Sequence, residues 1–303
     1  MLRPQPVSTG TRPQSLIAEK LSGLFFPGPS VKLTDTVQTA PETPGSRRAT
    51  VQCTAGKDTM RIPRIYEPAA PLAVDTEISL SEDGANHVGR VLRMESGEKI
   101  ILFNGDGYDC EAQLTASDKK HVTALITART EVKNESPLYL HLAQVISRGE
   151  RMEFTLQKSV ELGVAEITPL ISSRCGVRLN AERMEKKEEQ WRKIIISACE
   201  QCGRATVPKL NPTEDLEKFL LEKTEDLCLN LNPAAQDSIK NLQIGNRRVR
   251  LLIGSEGGLS DSEIALAAQS GYHDILLGPR VLRTETASLV AISIIQAFHG
   301  DLT

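Results

Sequence analysis

The sequence predicts an α/β protein with two folded parts, an amino-terminal β-barrel followed by a larger parallel-sheet domain. Three observations lead to this fold class. Short strand-like runs separated by turns dominate residues 60–133. From residue 138 to residue 303, apolar strand-like runs alternate with helical periodicity, as they do in parallel α/β sheets. Residues 1–59 show neither pattern.

The amino-terminal segment 1–59 is rich in Pro, Ser and Thr and has no sustained periodicity. Such a composition buries too little apolar surface to offset the entropy that is lost on ordering. We therefore expect a disordered extension, or a translation start that was misread upstream of Met60. The segment lacks the apolar core of a secretory signal, and a mildly basic organelle transit peptide is the alternative.

The predicted barrel has five short strands, one helical segment at 81–94, and a linker to the next domain at 134–137. The tetrapeptide NGDG at 104–107 is a hairpin turn signal. The predicted strands are RIPRIY (61–66), TEISL (76–80), EKIILFN (98–104), DCEAQLT (109–115) and HVTALIT (121–127).

The second domain alternates five strand-like runs with five helical runs, which predicts a parallel sheet. Its last helix, 284–300, is apolar on most faces and is therefore expected in a core or in a subunit interface. The predicted strands are 138–146, 165–171, 226–231, 249–254 and 273–278, and the other predicted helices are 150–163, 184–201, 214–223 and 260–271.

Composition narrows the class of protein. With 40% hydrophobic residues, 25% charged residues and a net charge of −3, the 303-residue chain is typical of a globular protein without a strong overall field. No apolar run approaches the roughly 20 residues of a membrane span. Cys199 and Cys202 form a CxxC motif, but no second CxxC or HxxxH completes a zinc site. We predict structural thiols, no metal and a cytoplasmic location.

The stretch LLIGSEGGLSDSEI (251–264) suggests a ligand site, because an apolar strand runs into close glycines and then into a helix start. Its spacing fits neither the Walker phosphate loop nor the Rossmann fingerprint. Glu256 would repel a pyrophosphate. A glycine-lined corner that carries a carboxylate instead suits a neutral or cationic ligand approached by backbone groups.

A second stretch, LLGPRVLRTETA (276–287), repeats the arrangement with a strand, Gly278, a basic loop and a helix that starts near Thr284. Ligands in open α/β sheets bind at the carboxyl ends of the strands. We therefore expect the two loops to lie side by side at that edge of the sheet.

These two loops resemble those of the RsmE-type ribosomal RNA methyltransferases of the SPOUT superfamily. Three further stretches are similar to motifs of that family, and the resemblance covers about 60–303. It implies a PUA-like barrel followed by a domain with a carboxyl-terminal trefoil knot through which the protein dimerises. It also implies binding of S-adenosylmethionine and methylation of N3 of a uridine in 16S ribosomal RNA. The three stretches are HVGRVLRMESGEKIILFNGDG (87–107), RMEFTLQKSVELGVAEITPLISSRCGVRL (151–179) and ACEQCGRATVP (198–208).

The resemblance also implies roles for single residues. Arg204 would lie on the substrate side, with a phosphate-positioning arginine or a surface arginine as the alternative. Arg283 would hold the uracil carbonyls or a phosphate, with an ion pair to Glu285 or Glu256 as the alternative. Glu256 would orient the cofactor ribose or the knot backbone, or accept a proton. The implied cofactor-binding residues are Leu231, Gly254, Ser255, Glu256, Gly257, Gly258, Leu277, Gly278, Arg280 and Leu282.

A basic patch in the barrel is a candidate RNA contact. His87, Arg90 and Arg93 are spaced three apart, which would place them on one helix face. Together with Arg61 and Arg64 they could contact phosphates. A solvated charged face is the alternative.

Two other functions fit the same residues. The fold could methylate a different RNA nucleotide, because the motifs around the cofactor do not touch the base. It could also serve a non-catalytic RNA-binding protein of ribosome assembly. The substrate would be free ribosomal RNA or the assembled small subunit.

Overall fold

The computed structural model describes residues 62–68, 72–118, 121–177, 179–245 and 247–302. The predictions for the segment 1–59 and for Arg61 lie outside these ranges. Within them the strands form two sheets, a mixed five-stranded sheet and a parallel seven-stranded sheet. This confirms the predicted fold class, and the trefoil knot stays a prediction.

The first sheet has the order β1-β3-β4-β5-β2. Its neighbours are antiparallel except for β1, which runs parallel to β3. The predicted hairpin joins β3 to β4, where Gly105 and Gly107 have φ angles of 93° and 89° that favour glycine. The strands are β1 (Arg64–Tyr66), β2 (Glu77–Ser79), β3 (Lys99–Phe103), β4 (Tyr108–Ser117) and β5 (Val122–Glu131).

The helical segment predicted at 81–94 is present, but it is not one continuous α-helix. It consists of a short helix α1 (Glu82–Asn86) followed by a π-helical segment (His87–Leu92), and Arg93 then adopts a left-handed φ of 54°. The hydroxyl of Ser81 caps α1 by accepting a hydrogen bond from the Gly84 amide. Apolar periodicity signals a helix but does not separate the two helix types, so the sequence did not reveal this change.

All strands of the second sheet are parallel, in the order β12-β10-β11-β6-β7-β8, with β9 beside β7. The five predicted strands are present. Two strands of two residues each, β8 and β9, escaped prediction because they are too short to show a period. The strands are β6 (Leu140–Val145), β7 (Glu166–Ile171), β8 (Lys209–Leu210), β9 (Glu214–Asp215), β10 (Leu227–Leu231), β11 (Val249–Ile253) and β12 (His273–Ile275).

The five predicted helices of this domain are also present. Helix α3 begins earlier than predicted because the side chain of Asn180 caps it by accepting from the Arg183 amide. Helix α4 is shorter, since β9 occupies its predicted start. The helices are α2 (Glu150–Glu161), α3 (Ala181–Cys202), α4 (Leu216–Leu220), α5 (Asp261–Gln269) and α6 (Thr284–His299), with a 3₁₀ turn at Ile239–Asn241.

Helix α6 packs one side into the core and leaves apolar surface on the other. Ala291, Ile292 and Ile295 are buried, whereas the Phe298 side chain near its end is 66% exposed. Among the helices that the structure describes, none combines the length and the apolarity of a membrane span.

The cysteines in the described ranges are all free thiols, and four of the five are buried. Burial raises the pKa of Cys199 to about 12, which keeps this thiol protonated and unreactive. Cys53 lies outside the described residues.

Candidate active site

A cavity of about 760 Å³ lies where β10, β11 and β12 end at the carboxyl edge of the parallel sheet. Its volume is within the usual range for small-molecule sites. Both predicted glycine loops line it, together with the loop that follows β10. The structure thus brings together the two stretches that the sequence singled out.

A chain of buried hydrogen bonds fixes the two loops against each other. Oγ1 of Thr284 donates to the Gly254 carbonyl at 2.6 Å, and Nε2 of Gln144 donates to the Thr284 hydroxyl at 3.1 Å. Ser288 on α6 donates to Oε1 of the same glutamine at 2.6 Å. Sequence reasoning missed Gln144, whose only signal is a polar residue inside a mostly apolar strand.

The glycines of the first loop are required by the geometry of the backbone. A Cβ atom on Gly254 would lie 3.1–3.2 Å from backbone atoms of Gly258 and Leu259, so any side chain there would require the loop to shift. Gly258 and, in the second loop, Gly278 adopt φ angles of 67° and 145° that other residues rarely reach. Backbone groups can therefore approach a ligand closely along both loops.

Glu256 is held as a carboxylate at the mouth of the cavity. Its Oε1 accepts from Nη1 of Arg151 at 2.7 Å and from the Arg148 amide at 3.0 Å. Burial alone would raise the pKa of Glu256, but hydrogen bonds from Arg151 and from backbone amides outweigh it and lower this pKa. The group is an anchored anion rather than a proton acceptor near neutral pH. Arg151, which holds it, was not identified as a site residue from the sequence.

The first loop is also tied to the loop that follows β7. The carboxylate of Glu263, buried in α5, accepts from the Ser173 amide at 2.7 Å and completes a capping box with Ser260. Arg174 donates to the Leu259 carbonyl at 2.9 Å. These contacts hold the first loop and the start of α5 to the loop that follows β7.

Arg280 and Arg283 lie exposed in the cavity lining. Within the described ranges neither guanidinium has a hydrogen bond or an ion pair. The alternative pairing of Arg283 with Glu285 or Glu256 is not formed among the described residues. Arg151 pairs with both carboxylates instead, at 2.7 Å from Glu256 and 3.9 Å from Glu285. Arg283 is therefore free to contact a substrate.

Nearly all the residues implied for cofactor binding lie in the lining of this cavity, and their roles stay predictions. Gly257 is not part of the lining and packs against Arg174 instead, where a Cβ would lie at 3.2 Å. Those that line the cavity are Leu231, Gly254, Ser255, Glu256, Gly258, Leu277, Gly278, Arg280 and Leu282.

Arg204 lies away from the cavity. Only 4% of it is exposed, and its guanidinium donates to both oxygens of Glu135 and to the carbonyls of Val160 and Val164. Its own carbonyl accepts from Arg64. These contacts tie the turn after α3 to α2 and to the first sheet, which favours a structural role. A role beside the substrate stays a prediction without support from this geometry.

The predicted basic patch of the first domain divides into two groups. Arg64 is buried, pairs with Asp109 and stacks over Phe103, so it does not share a surface with the exposed Arg90 and Arg93. His87 is half-buried. The prediction that His87, Arg90 and Arg93 share one face assumed the geometry of an α-helix. These residues instead occupy a π-helical segment and the residue that ends it. Arg61 lies outside the described residues.

In the described part of the chain, no three or more His, Cys, Asp or Glu side chains are grouped as they would be around a metal ion.

The class of protein follows from two family models. One, described as an RNA methyltransferase domain, matches residues 134–296, and a second, described as an RNA methyltransferase PUA domain, matches residues 80–127. The fold and the cavity described above thus belong to an RNA methyltransferase with a PUA domain.

Individual relatives give the family. The chain is 41% identical to the ribosomal RNA small subunit methyltransferase E of Buchnera aphidicola subsp. Schizaphis graminum, over 80% of this chain and 99% of that protein. The structure of the enzyme of that name from Neisseria gonorrhoeae, bound to S-adenosyl methionine, matches with a TM-score of 0.75 and 39% identity, over 80% of this chain and all of that one. Lpg2936 of Legionella pneumophila, in complex with the cofactor SAM, matches with a TM-score of 0.78 and 49% identity, at the same coverage. The chain belongs to the ribosomal RNA small subunit methyltransferase E family.

Proposed function

We propose that this protein transfers a methyl group from S-adenosylmethionine to N3 of a specific uridine in 16S ribosomal RNA. The observation that carries the proposal is the cavity between two glycine loops that are fixed to each other at the carboxyl edge of the parallel sheet. Relatives that share this fold bind the same cofactor.

The residues of the cavity fit that cofactor. Leu231, Ile253 and Leu277 provide apolar walls for a flat ring, and the glycines let backbone groups reach it.

For the methyl donor, the protein has to supply alignment of the reacting atoms rather than chemical activation. When bound, S-adenosylmethionine supplies a methyl group on a positively charged sulfur that is already activated for in-line displacement. The hydrogen bonds among Gln144, Thr284 and Gly254 keep the two loops in one arrangement. Preorganisation of this kind removes the entropic cost of aligning the reacting atoms.

The nucleophile is the harder partner, because uracil N3 must lose its proton to attack. Arg283 has an unpaired guanidinium in the cavity lining and can hold the uracil carbonyls. A cation there lowers the pKa of N3, and each unit is worth about 1.36 kcal/mol. Glu256 is a poor proton acceptor because its own pKa is lowered, so we assign it to fixing the loop.

The first domain supports RNA binding. Arg90 and Arg93 are exposed next to the exposed apolar residues Val91 and Leu92. A net charge of −3 gives little attraction over the whole molecule, so phosphate contacts have to be local.

We further propose a homodimer formed through a knotted domain and a location in the cytoplasm. Large apolar side chains on α2 and α6 support the dimer, since Phe154 is 46% exposed and Phe298 is 66% exposed. Exposed apolar surface of this kind is typical of subunit interfaces. Sedimentation equilibrium tests this proposal, and a purely monomeric protein would contradict it.

Nucleoside analysis of ribosomal RNA from cells that lack the protein tests the activity. We expect loss of 3-methyluridine from small-subunit RNA, and its return on incubation with purified protein and S-adenosylmethionine. Methylation at another atom or nucleotide would favour the alternative in which the same fold methylates a different RNA nucleotide. Unchanged modification without methyl incorporation would favour a non-catalytic assembly protein. Comparing free RNA with isolated subunits identifies the substrate.

A further inference from the structure

Val281 is the most exposed of the large apolar side chains that the structure describes. It is 83% exposed, and it lies in the second loop, where it lines the cavity. A single apolar residue on a surface needs no explanation by itself. An apolar side chain on the rim of a ligand cavity is different, because a substrate that enters the cavity comes close to it.

Two unpaired cations of the cavity lining flank Val281. The guanidinium groups of Arg280 and Arg283 are exposed and have no hydrogen bond or ion pair within the described ranges. The other arginines of the lining, Arg151 and Arg174, are engaged by a carboxylate at 2.7 Å and by a backbone carbonyl at 2.9 Å. Unpaired cations beside an exposed apolar side chain complement RNA, whose phosphates attract the cations and whose bases offer apolar faces.

The loop presents Val281 between two fixed ends. It starts at Gly278, whose φ of 145° other residues rarely reach, and continues with Pro279, whose ring restricts the backbone. It ends at Thr284, which is buried and donates to the Gly254 carbonyl at 2.6 Å. A loop that is ordered in advance loses less conformational entropy when RNA binds.

Methyl transfer to N3 requires the uridine to leave its neighbours in the RNA. N3 lies on the base-pairing edge, and an enzyme reaches such an edge in its cavity only when the base leaves the stack. Proteins that unstack nucleic acids frequently insert an apolar side chain between the bases, which replaces part of the lost stacking contact. Val281 has the chemistry and the position of such a side chain.

We propose that Val281 fills the gap that the target uridine leaves in the RNA stack, and that Arg280 binds the phosphate beside this gap. The inference rests on the proposed function. Val281 packs against the neighbouring base and stabilises the unstacked state, so it acts on the methylation rate and not on cofactor affinity. The backbone of Arg280 stays available for the cofactor contact that the resemblance implies.

The chain offers a matched comparison for this loop. The tetrapeptide RVLR occurs at 280–283 and again at 90–93 in the first domain. Val91 is 65% exposed between two exposed arginines, but it is not part of the cavity lining. Val91→Ser therefore makes the same change between the same neighbours at a place where no base is extruded. Val74, which is 45% exposed, is a second control without flanking arginines.

Single-turnover methylation of two RNA substrates tests the proposal. One is small-subunit RNA from cells that lack the protein. The other is the same RNA with abasic nucleotides on both sides of the uridine that the wild type methylates. Both are presented free or in subunits, whichever form the wild type methylates.

On intact RNA at saturating concentration, we expect Val281→Ser to lower the rate about tenfold, because the unstacked state loses its support. On abasic RNA the variant should match the wild type within about twofold, since no stack has to open. The conservative variant Val281→Leu should keep the rate on intact RNA within about threefold, because it retains an apolar side chain. Val91→Ser and Val74→Ser should methylate intact RNA as fast as the wild type.

Two affinities complete the test. Titration with S-adenosylhomocysteine should give the same affinity for the wild type and for Val281→Ser. Arg280→Ala should reduce the slope of log RNA affinity against log salt by about 0.7, the value for one phosphate contact on a single strand. Arg183→Ala, an exposed arginine on α3, should leave this slope unchanged.

An equal loss of rate on both RNAs, or a loss of cofactor affinity, would overturn the proposal and make Val281 a support of the loop. An unchanged rate of Val281→Ser on intact RNA would show that the side chain does not support unstacking, and an unchanged salt slope in Arg280→Ala would refute the phosphate contact. If Val281→Ser were monomeric in sedimentation equilibrium while the wild type is a dimer, Val281 would belong to a subunit interface and the proposal would fail. A wild-type protein that methylates neither RNA would refute the proposed function itself.

Discussion

The two edges of the parallel sheet are formed by the same strands, but the residues at the two edges differ in kind. At the carboxyl edge, glycine loops surround a cavity, and backbone groups and a few fixed side chains form its surface. At the amino edge, Glu166 on β7 accepts hydrogen bonds from Tyr139, Lys209, Asn211 and Arg248, at 2.8–3.2 Å. One edge keeps space for a ligand, while at the other edge the charged groups pair with one another.

The contrast separates binding from stability. The carboxylate of Glu166 is satisfied by donors from neighbouring segments, so its loss should weaken the fold. The corresponding acid at the carboxyl edge, Glu256, holds a loop to Arg151 and stays 28% exposed in its side chain. Substitutions at the carboxyl edge should therefore change ligand affinity, and substitutions at the amino edge should change the free energy of unfolding.

The largest effect is expected at the carboxyl edge. Gly254→Val would place a branched side chain within about 3 Å of the backbone at Gly258 and Leu259. We expect calorimetric titration with S-adenosylmethionine to show at least a hundredfold loss of affinity, since the loop must shift. The control Ala268→Val makes a similar change on the exposed face of α5 and should bind normally. Retained titration heat in Gly254→Val would show that the cofactor lies elsewhere.

At the amino edge, Glu166→Gln should act on stability. The substitution removes the charge that accepts hydrogen bonds from Tyr139 and Asn211, and the loss of charge-assisted hydrogen bonds costs about 2 kcal/mol. Lys209 and Arg248 add little to this cost because their side chains are largely exposed. Urea denaturation should show this loss, and the folded variant should still bind the cofactor with normal affinity. The exposed Glu185→Gln on α3 is the control. Unchanged stability in Glu166→Gln would remove the distinction between the two edges.

Arg283→Ala should show a smaller, purely catalytic effect. Its guanidinium has no partner among the described residues, so the fold should not change. We expect the methylation rate to fall about tenfold, because one charge-assisted hydrogen bond to the base is lost, while cofactor affinity stays within about twofold. Arg183→Ala, an exposed arginine on α3, is the charge-matched control. An unchanged rate would assign the contact to another residue.

Acid should weaken the amino edge before it affects the loops. Burial lowers the pKa of His141 from 6.5 to about 4. Between these pH values the imidazole is protonated in the unfolded chain but neutral in the folded protein, so the free energy of unfolding falls as the pH drops from about 6.5 to about 4. The pKa of Glu166 is held at about 2, because hydrogen bonds and nearby cations outweigh its burial, so its contribution is lost below about pH 4.5. His141→Gln should flatten the stability profile between pH 6.5 and pH 4.5 in urea titrations. A profile as steep as that of the wild type would contradict this assignment.

Local patterns in the sequence were sufficient for the elements that carry the fold and for both glycine loops. The long strands and helices have clear periods, and closely spaced glycines after a strand are a local signal. The residues that were missed depend on distant partners. Gln144 acts on a threonine 140 positions away, and Arg151 on a glutamate 105 positions away. Arg64 looked like a surface cation because nothing nearby in sequence shows that Asp109 and the Arg204 carbonyl enclose it.

The most direct measurement is a crystal structure of the protein grown with S-adenosylmethionine. We predict density for the cofactor between the loop at 254–259 and the loop at 276–284. Density at another place, or loops that move apart in the complex, would contradict the claim that these two loops form the methyl donor site.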